Sequence, residues 1–532
     1  MSWSPLNKLL AVAEKGIFRF TCFYLISAML AGCGEASSGD PVVTVGATSY
    51  SGVWSQDNET AAFLGIPFAE PPVGKRRWAP PAHVVNLPAA VKVDRFAPGC
   101  MQGSHTVDWY RGLMQDFGAD PNEFPAPDFS EDCLYLNIWT PSADDAANLA
   151  VMVWIHGGSY TGGWSYEPNY IGDKLARHGV VVVSIAYRLD VFGFFSHPEL
   201  EISNFGLLDQ IVAFEWIKQN IRGFGGDPEN ITAFGESVGA SSIGYLMVSP
   251  LSRGLFHRAI HQSNGYHLVN RDTRDDFVDE GVALQLSLLG HEHVGGLDEL
   301  RGIDAKSLLT AAAETFSGYR PNVVVDGHSL TEPAFEAILN SNLMPVDLLV
   351  GTNAHEWRMY LDLKTTEEDV HIWIEENSPG EKERLQAILA NTTSALHKLD
   401  RLYTGQQFVC PSIFLAEKIS AANKRAYVYY FTKERSGEKG AVMGAYHGAE
   451  IPYIFNKHDD WLPTTAIDRK ITGAMGRYWT NFAKRGNPNF DGGTEWPQFQ
   501  EKSRVILEIG NPIRRIEHPE QQLCGILQPQ LD

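Results

Sequence analysis

The stretch Phe224-Gly225-Gly226-Asp227-Pro228-Glu229-Asn230-Ile231-Thr232-Ala233-Phe234-Gly235-Glu236-Ser237-Val238-Gly239-Ala240 decides the fold. Residues 231–234 form a short apolar run suited to a strand buried on both faces. Residues 238–248 are mostly small or apolar and predict a helix. Gly235-Glu236-Ser237-Val238-Gly239 lies between them and has the form Gly-x-Ser-x-Gly. A strand-to-helix turn this sharp strains its central serine, and glycines two residues to either side let neighbouring backbone pass close by. The hydroxyl then stands clear of the sheet, facing the positive end of the following helix.

Further buried runs flank this turn. Residues 150–155 lead into His156-Gly157-Gly158-Ser159-Tyr160, and 180–187, 346–350 and 426–431 predict further central strands. Leu207, Ile211, Phe214, Ile217 and Ile221 mark one face of a helix that stops at Gly223. Residues 467–484 predict another helix, and 505–507 a last strand. Residues 42–54 predict edge strands, 63–72 a proline-studded loop, 100–133 a polar loop, and 131–139 an alternating strand. Residues 270–345 read as mostly helical, with an irregular break at 319–328. Strand–helix alternation around the serine turn indicates a doubly wound α/β sheet.

The chain has 532 residues, 44% of them hydrophobic, which is ample for a large core. A formal net charge of −21 argues against nucleic-acid binding, which needs a basic face. There is no fixed-period repeat and no phosphate loop. At the start, Lys8, Lys15 and Arg19 precede an apolar run, 20–30, too short to span a bilayer. Leu30-Ala31-Gly32-Cys33 resembles a bacterial lipobox, in which Cys33 becomes the acylated N-terminus. Residues 1–32 are thus expected to be an export signal of lipoprotein type, 33–42 a tether, and 43–532 a single catalytic domain. The expected location is the bacterial envelope, held by a lipid anchor, or otherwise the secreted fraction. Cys22 leaves with the signal, so Cys100, Cys133, Cys410 and Cys524 remain as an even set in an oxidising compartment. No Cys-x-x-Cys or Cys/His cluster points to a metal, and no cofactor is expected.

A serine hydroxyl needs a base to take its proton, and the base needs an acceptor to fix its tautomer. Strand exits offer Glu356 after 346–350 and His447 beyond 426–431, in the order Ser…acid…His expected of α/β-hydrolases. His355 and His156 compete with His447, and Asp326 competes with Glu356, although Asp326 reads more simply as a turn. Gly158, Ser159 and Val238 are candidate N–H donors for an oxyanion.

These stretches together resemble the type-B carboxylesterase family, the cholinesterase-like α/β-hydrolases. The likeness runs through residues 224–239 and 131–141, continues in 204–210, 256–263 and 481–489, and covers about 43–525. It implies the α/β-hydrolase fold, with a mostly parallel central sheet, helices on both faces and helical insertions. It implies ester hydrolysis of a small-molecule substrate with Ser237 as nucleophile, Glu356 as acid, His447 as base, and Gly158, Ser159 and Val238 as oxyanion hole. It also implies the pairings Cys100 with Cys133 and Cys410 with Cys524. Val238, Ser159 and Trp357 depart from the family's usual small residues and bear on substrate size. Two other readings stand beside ester hydrolysis in general. One is a non-catalytic binding protein of the same fold. The other is a choline-ester, carbamate or amide hydrolase, with Trp109 or Tyr110 facing a cation.

Overall fold

The computed structural model describes residues 39–316 and 321–528. The expected export signal and Cys33 lie outside the described residues. Among the described residues, no helix is long and apolar enough to cross a membrane.

The body is built on an eleven-stranded sheet. Its strands, in chain order, are β1 (Val53–Trp54), β2 (Ala61–Pro67), β3 (Tyr135–Thr140), β4 (Leu149–Ile155), β5 (Val181–Ile185) and β6 (Gly226–Glu236). They continue with β7 (Arg258–Gln262), β8 (Asp347–Asn353), β9 (Ala426–Phe431), β10 (Val505–Ile509) and β11 (Arg514–Glu517). Across the sheet the order is β11-β10-β9-β8-β7-β6-β4-β5-β3-β2-β1. The ladders from β5 through β4 and β6 to β10 are parallel, and antiparallel strands close both edges. The mostly parallel sheet expected from the continuous apolar runs is therefore present.

Strand alternation divides the core in two. From β4, Val151, Val153 and Ile155 enter one cluster, together with residues of α1 (Phe205–Asn220) and α2 (Val238–Val248). Ala150, Met152 and Trp154 enter a second cluster with α3 (Ala466–Arg485) on the opposite face. Residues buried on both faces need covering helices on both faces, which is why these strands read as unbroken hydrophobic runs. Two smaller clusters belong to insertions. The helices Val278–Leu289, Gly296–Arg301 and Ala305–Thr315 pack around Leu284, Leu300 and Trp78. A second helical group surrounds Trp373, Leu402 and Leu523.

Both disulfides implied by the resemblance are formed, with Cα separations of 4.9 Å for Cys100–Cys133 and 5.2 Å for Cys410–Cys524.

Four local expectations need correction. Residues 63–67 are not loop but the end of β2, where Pro67 takes the last position and leaves the ladder's N–H donors intact. The 100–133 segment contains a helix, His105–Asp116, which buries Val107, Tyr110, Leu113 and Met114. Residues 42–54 make only one edge strand of the large sheet. Val42–Val45 and Thr48–Ser51 join Ala90–Lys92 in a separate small sheet. Finally, β7 was not foreseen, because His261 and Gln262 are polar yet fully buried.

Candidate active site

Ser237 joins the end of β6 to the start of α2 with φ +55° and ψ −131°, a conformation costly for a residue with a side chain. Three fixed neighbours impose it. Its N–H donates to the Gln262 carbonyl at 3.0 Å, and its own carbonyl accepts from the Ser241 N–H at 3.1 Å. Gly235 and Gly239 lie against the Ile155 carbonyl, where a side chain at either position would collide. The two glycines of the motif are thus required by the neighbouring strand β4.

The chain leaving β4 returns to the same place. A Cβ at Gly157 would lie 3.1 Å from Ser237 Cβ and 3.1 Å from Glu236 Oε2, so this loop packs directly on the serine turn. Gly158 has φ +103°, and a side chain there would run into the Gly162 carbonyl; the Gly162 N–H closes the turn by donating to the Gly158 carbonyl at 3.0 Å. Ser159 and Tyr160 also hold positive φ, at 56° and 60°. The Tyr160 hydroxyl pairs with Ser242 Oγ of α2 at 3.1 Å, tying the loop to the helix that Ser237 opens. The N–H of Val238 sits in the first turn of α2, where helical geometry supplies no acceptor.

On the other side, Glu356 follows β8 and is fully buried. Its Oε1 accepts from the Asn353 N–H at 2.6 Å, and its Oε2 lies 2.7 Å from Nδ1 of His447. The Asn353 amide donates to the Tyr446 carbonyl and to Glu450 Oε2, both at 2.7 Å, which fixes the His447 loop to the strand exit. The far nitrogen of His447, Nε2, faces Glu236 Oε1 at 3.2 Å. Glu236 immediately precedes Ser237, so the Glu356–His447 pair and the serine turn meet at this contact.

Burial alone would pull the His447 imidazole down. The carboxylates of Glu236, Glu356 and Glu450 outweigh burial and hold it above its ordinary value. Burial raises Glu236, with Glu450, Glu356 and Glu167 adding to the rise and His447 opposing it. Glu450 is also raised, by burial and then by Glu356, against hydrogen bonds from Asn353 and Gln262. Protons in this group belong to the cluster rather than to any one member.

The competing residues have other partners. His355 Nδ1 accepts from the Ala445 N–H at 3.0 Å, and burial followed by Arg358 pushes its imidazole down to about 3. His156 stacks on Tyr187 at 4.4 Å, and burial pushes it down to about 4. Asp326 accepts from the N–H groups of His328, Ser329 and Leu330 and serves a turn.

Tyr110 is not an exposed face for a cation. It is 2% exposed, stacks on Phe124 at 4.7 Å, and donates its hydroxyl to Glu167 Oε2 at 2.6 Å. Trp109 packs edge-on against it at 4.9 Å. Trp357 instead joins an aromatic wall beside His447. It stacks on Tyr403 at 5.3 Å and lies 6.0 Å from Phe408, which is itself 5.4 Å from His447. Phe408 sits in a π-helical turn, Gly405–Val409, a rare form frequent at functional sites. Glu236, Glu450, Gln262, Asn353 and Phe408 carried no role in the sequence reading. Only Glu236 carried a signal, as the residue beside the serine.

The sequence profile of the carboxylesterase family matches residues 42–526. The chain belongs to the carboxylesterase family. It is 33% identical to fumonisin B1 esterase of Sphingopyxis macrogoltabida over 506 residues, 88% of this chain and 87% of that protein. It is 30% identical to para-nitrobenzyl esterase of Bacillus subtilis over 486 residues, 88% of this chain and 94% of that protein. Its structure is similar to that of the Geobacillus stearothermophilus carboxylesterase EST55, with a TM-score of 0.78 at 28% identity. The similarity covers 91% of this chain and 99% of that one. This carboxylesterase therefore has the α/β-hydrolase fold and hydrolyses small-molecule esters.

Proposed function

We propose that Ser237 is the nucleophile of a two-step ester hydrolysis, with His447 as base and Glu356 as its orienting acid. One observation carries the reading. The His447 imidazole is held on Glu356 at one nitrogen and turned at the other toward the residue preceding a strained, strand-to-helix serine. As Ser237 Oγ attacks the ester carbonyl carbon, its proton passes to His447 Nε2. The N–H groups of Gly158, Ser159 and Val238 meet the developing oxyanion. Collapse breaks the carbon–alkoxide bond, His447 protonates the departing alcohol, and an acyl-serine ester remains. Water then attacks that ester, giving its proton to His447, and the carboxylic acid leaves with Ser237 restored.

The aromatic wall of Trp357 and Phe408, extended by Tyr360 at 5.4 Å from Trp357 and 6.3 Å from His447, supports an apolar or aromatic substituent on the side of His447. Choline esters fit less well, since Tyr110 presents no open ring. Replacement of Ser237 by Ala tests the mechanism on a p-nitrophenyl ester. Turnover is expected to fall by about 10⁴-fold or more, as for serine nucleophiles elsewhere. An organophosphonate is expected to label Ser237 stoichiometrically. Retained rate in the variant, or labelling at another residue, refutes the assignment.

Export and lipid attachment at Cys33 belong to the same proposal. Two disulfides in the described body support an oxidising compartment. Mass spectrometry of the membrane fraction tests it, and an unmodified Cys33 at the mature N-terminus rejects the anchor.

A further inference from the structure

The helical insertion between β7 and β8 carries a cluster that ester hydrolysis does not use. His291, His293 and Glu299 place their ligand atoms all within 4.8 Å of one another. His291 Nε2 lies 3.5 Å from Glu299 Oε2, and His293 Nε2 lies 3.4 Å from Glu299 Oε1. These separations are long for hydrogen bonds. Each is close to one edge of a tetrahedral zinc site, about 3.3–3.6 Å for bonds of 2.0–2.2 Å. The two run to different oxygens of Glu299, so a small side-chain rotation brings all three ligand atoms onto one ion. The two imidazole rings stack nearly parallel, with centroids 3.6 Å apart and planes 18° apart, so both nitrogens are presented to one carboxylate.

The backbone that carries them is held from behind. Gln285, buried at 2% exposure, donates its amide to the carbonyls of both His291 and His293 at 3.1 Å. Its Oε1 is in turn fixed by His197 Nε2 at 2.8 Å. Glu199 accepts the Gly295 N–H at 3.1 Å, pinning the far end of the loop before the helix that bears Glu299. The three ligands thus start from a fixed scaffold, which lowers the ordering cost of binding.

We propose that His291, His293 and Glu299 bind one divalent transition metal of the zinc type. Two imidazoles with one carboxylate favour zinc over magnesium or calcium, which take oxygen ligands. A bound ion would join the 291–293 loop to the helix Gly296–Arg301, with its fourth position open to solvent.

The test is calorimetric titration of the EDTA-stripped, dialysed enzyme with Zn²⁺, with Mg²⁺ run in parallel. One equivalent of Zn²⁺ is expected to bind and raise the Tm, with Mg²⁺ ineffective. His293→Ala and Glu299→Gln alter side chains about half exposed or more and leave the scaffold intact. Each is expected to weaken that equivalent more than tenfold and abolish the Tm shift, with circular dichroism and esterase rate unchanged. An unchanged isotherm in either variant, equal binding of Mg²⁺, or no saturable Zn²⁺ binding overturns the proposal.

Discussion

Nε2 of His447 lies 3.2 Å from Oε1 of Glu236, while its Nδ1 lies 2.7 Å from Glu356. The imidazole is therefore held between two buried carboxylates, and one of them belongs to the serine turn itself. This arrangement stabilises the charged imidazolium, the form that a base takes as it removes a proton.

The Glu236 carboxylate is expected to set the acid limb of the rate profile. A base must be neutral to act, and Glu236 favours its protonated form. In Glu236→Gln the limb of kcat/KM should move to lower pH by about one unit or more. A purely structural role for Glu236 would lower the rate with the limb in place.

Gly158→Ala tests the oxyanion loop. The new methyl meets the Gly162 carbonyl in a backbone with φ +103°, so the loop must shift. The expected loss in kcat is about 10²–10³-fold, as for removal of one oxyanion donor. KM for a p-nitrophenyl ester should change little, and an unimpaired kcat would remove Gly158 from the hole.

The Cys410–Cys524 bridge ties the π-helical turn region to the C-terminal helix across 114 residues of chain. Chain-entropy reasoning gives it roughly 5 kcal/mol at most. Serine at both positions should lower the Tm by several degrees, read by calorimetry. An unchanged Tm would mean the packing of Leu402, Val409 and Leu523 suffices alone.

Buried neutral histidines should make the fold acid-sensitive. His261 and His267 are fully buried, their rings 5.0 Å apart, and burial pushes His261 down to about 3 and His267 well below its ordinary value. The unfolded chain binds protons at these groups from about pH 6.5 downward while the folded state does not. Stability from them is complete above pH 6.5 and is lost as pH falls from there toward 3. His447 has the opposite sign: its raised value contributes stability at low pH that is lost as pH rises through it. Denaturant unfolding of His261→Asn against pH is expected to show a shallower acid slope than the parent. Equal slopes would reject the linkage.

Much of this was legible from residue order. The apolar runs of β4, β5, β8 and β9 announced central parallel strands because burial on both faces removes every polar position. Gly-x-Ser-x-Gly announced the strained strand-to-helix turn at Ser237 because few residue types tolerate its backbone. The resemblance added the disulfide pairings and a preference for Glu356 and His447 over their rivals.

What residue order by itself determined was therefore the local backbone: where the chain must be strand, helix or strained turn, and which side chain each turn lifts out. The tertiary structure alone decided which groups meet. Glu236 touches His447 because β6 lies two strands from β8 and three from β9, a neighbourhood that no window of sequence contains. The burial of His261 and Gln262, the enclosure of Tyr110 and the convergence of His291 and His293 on Glu299 have the same origin. Charge and polarity are fixed by the residue, but the dielectric and the partners around it exist only once distant segments have packed.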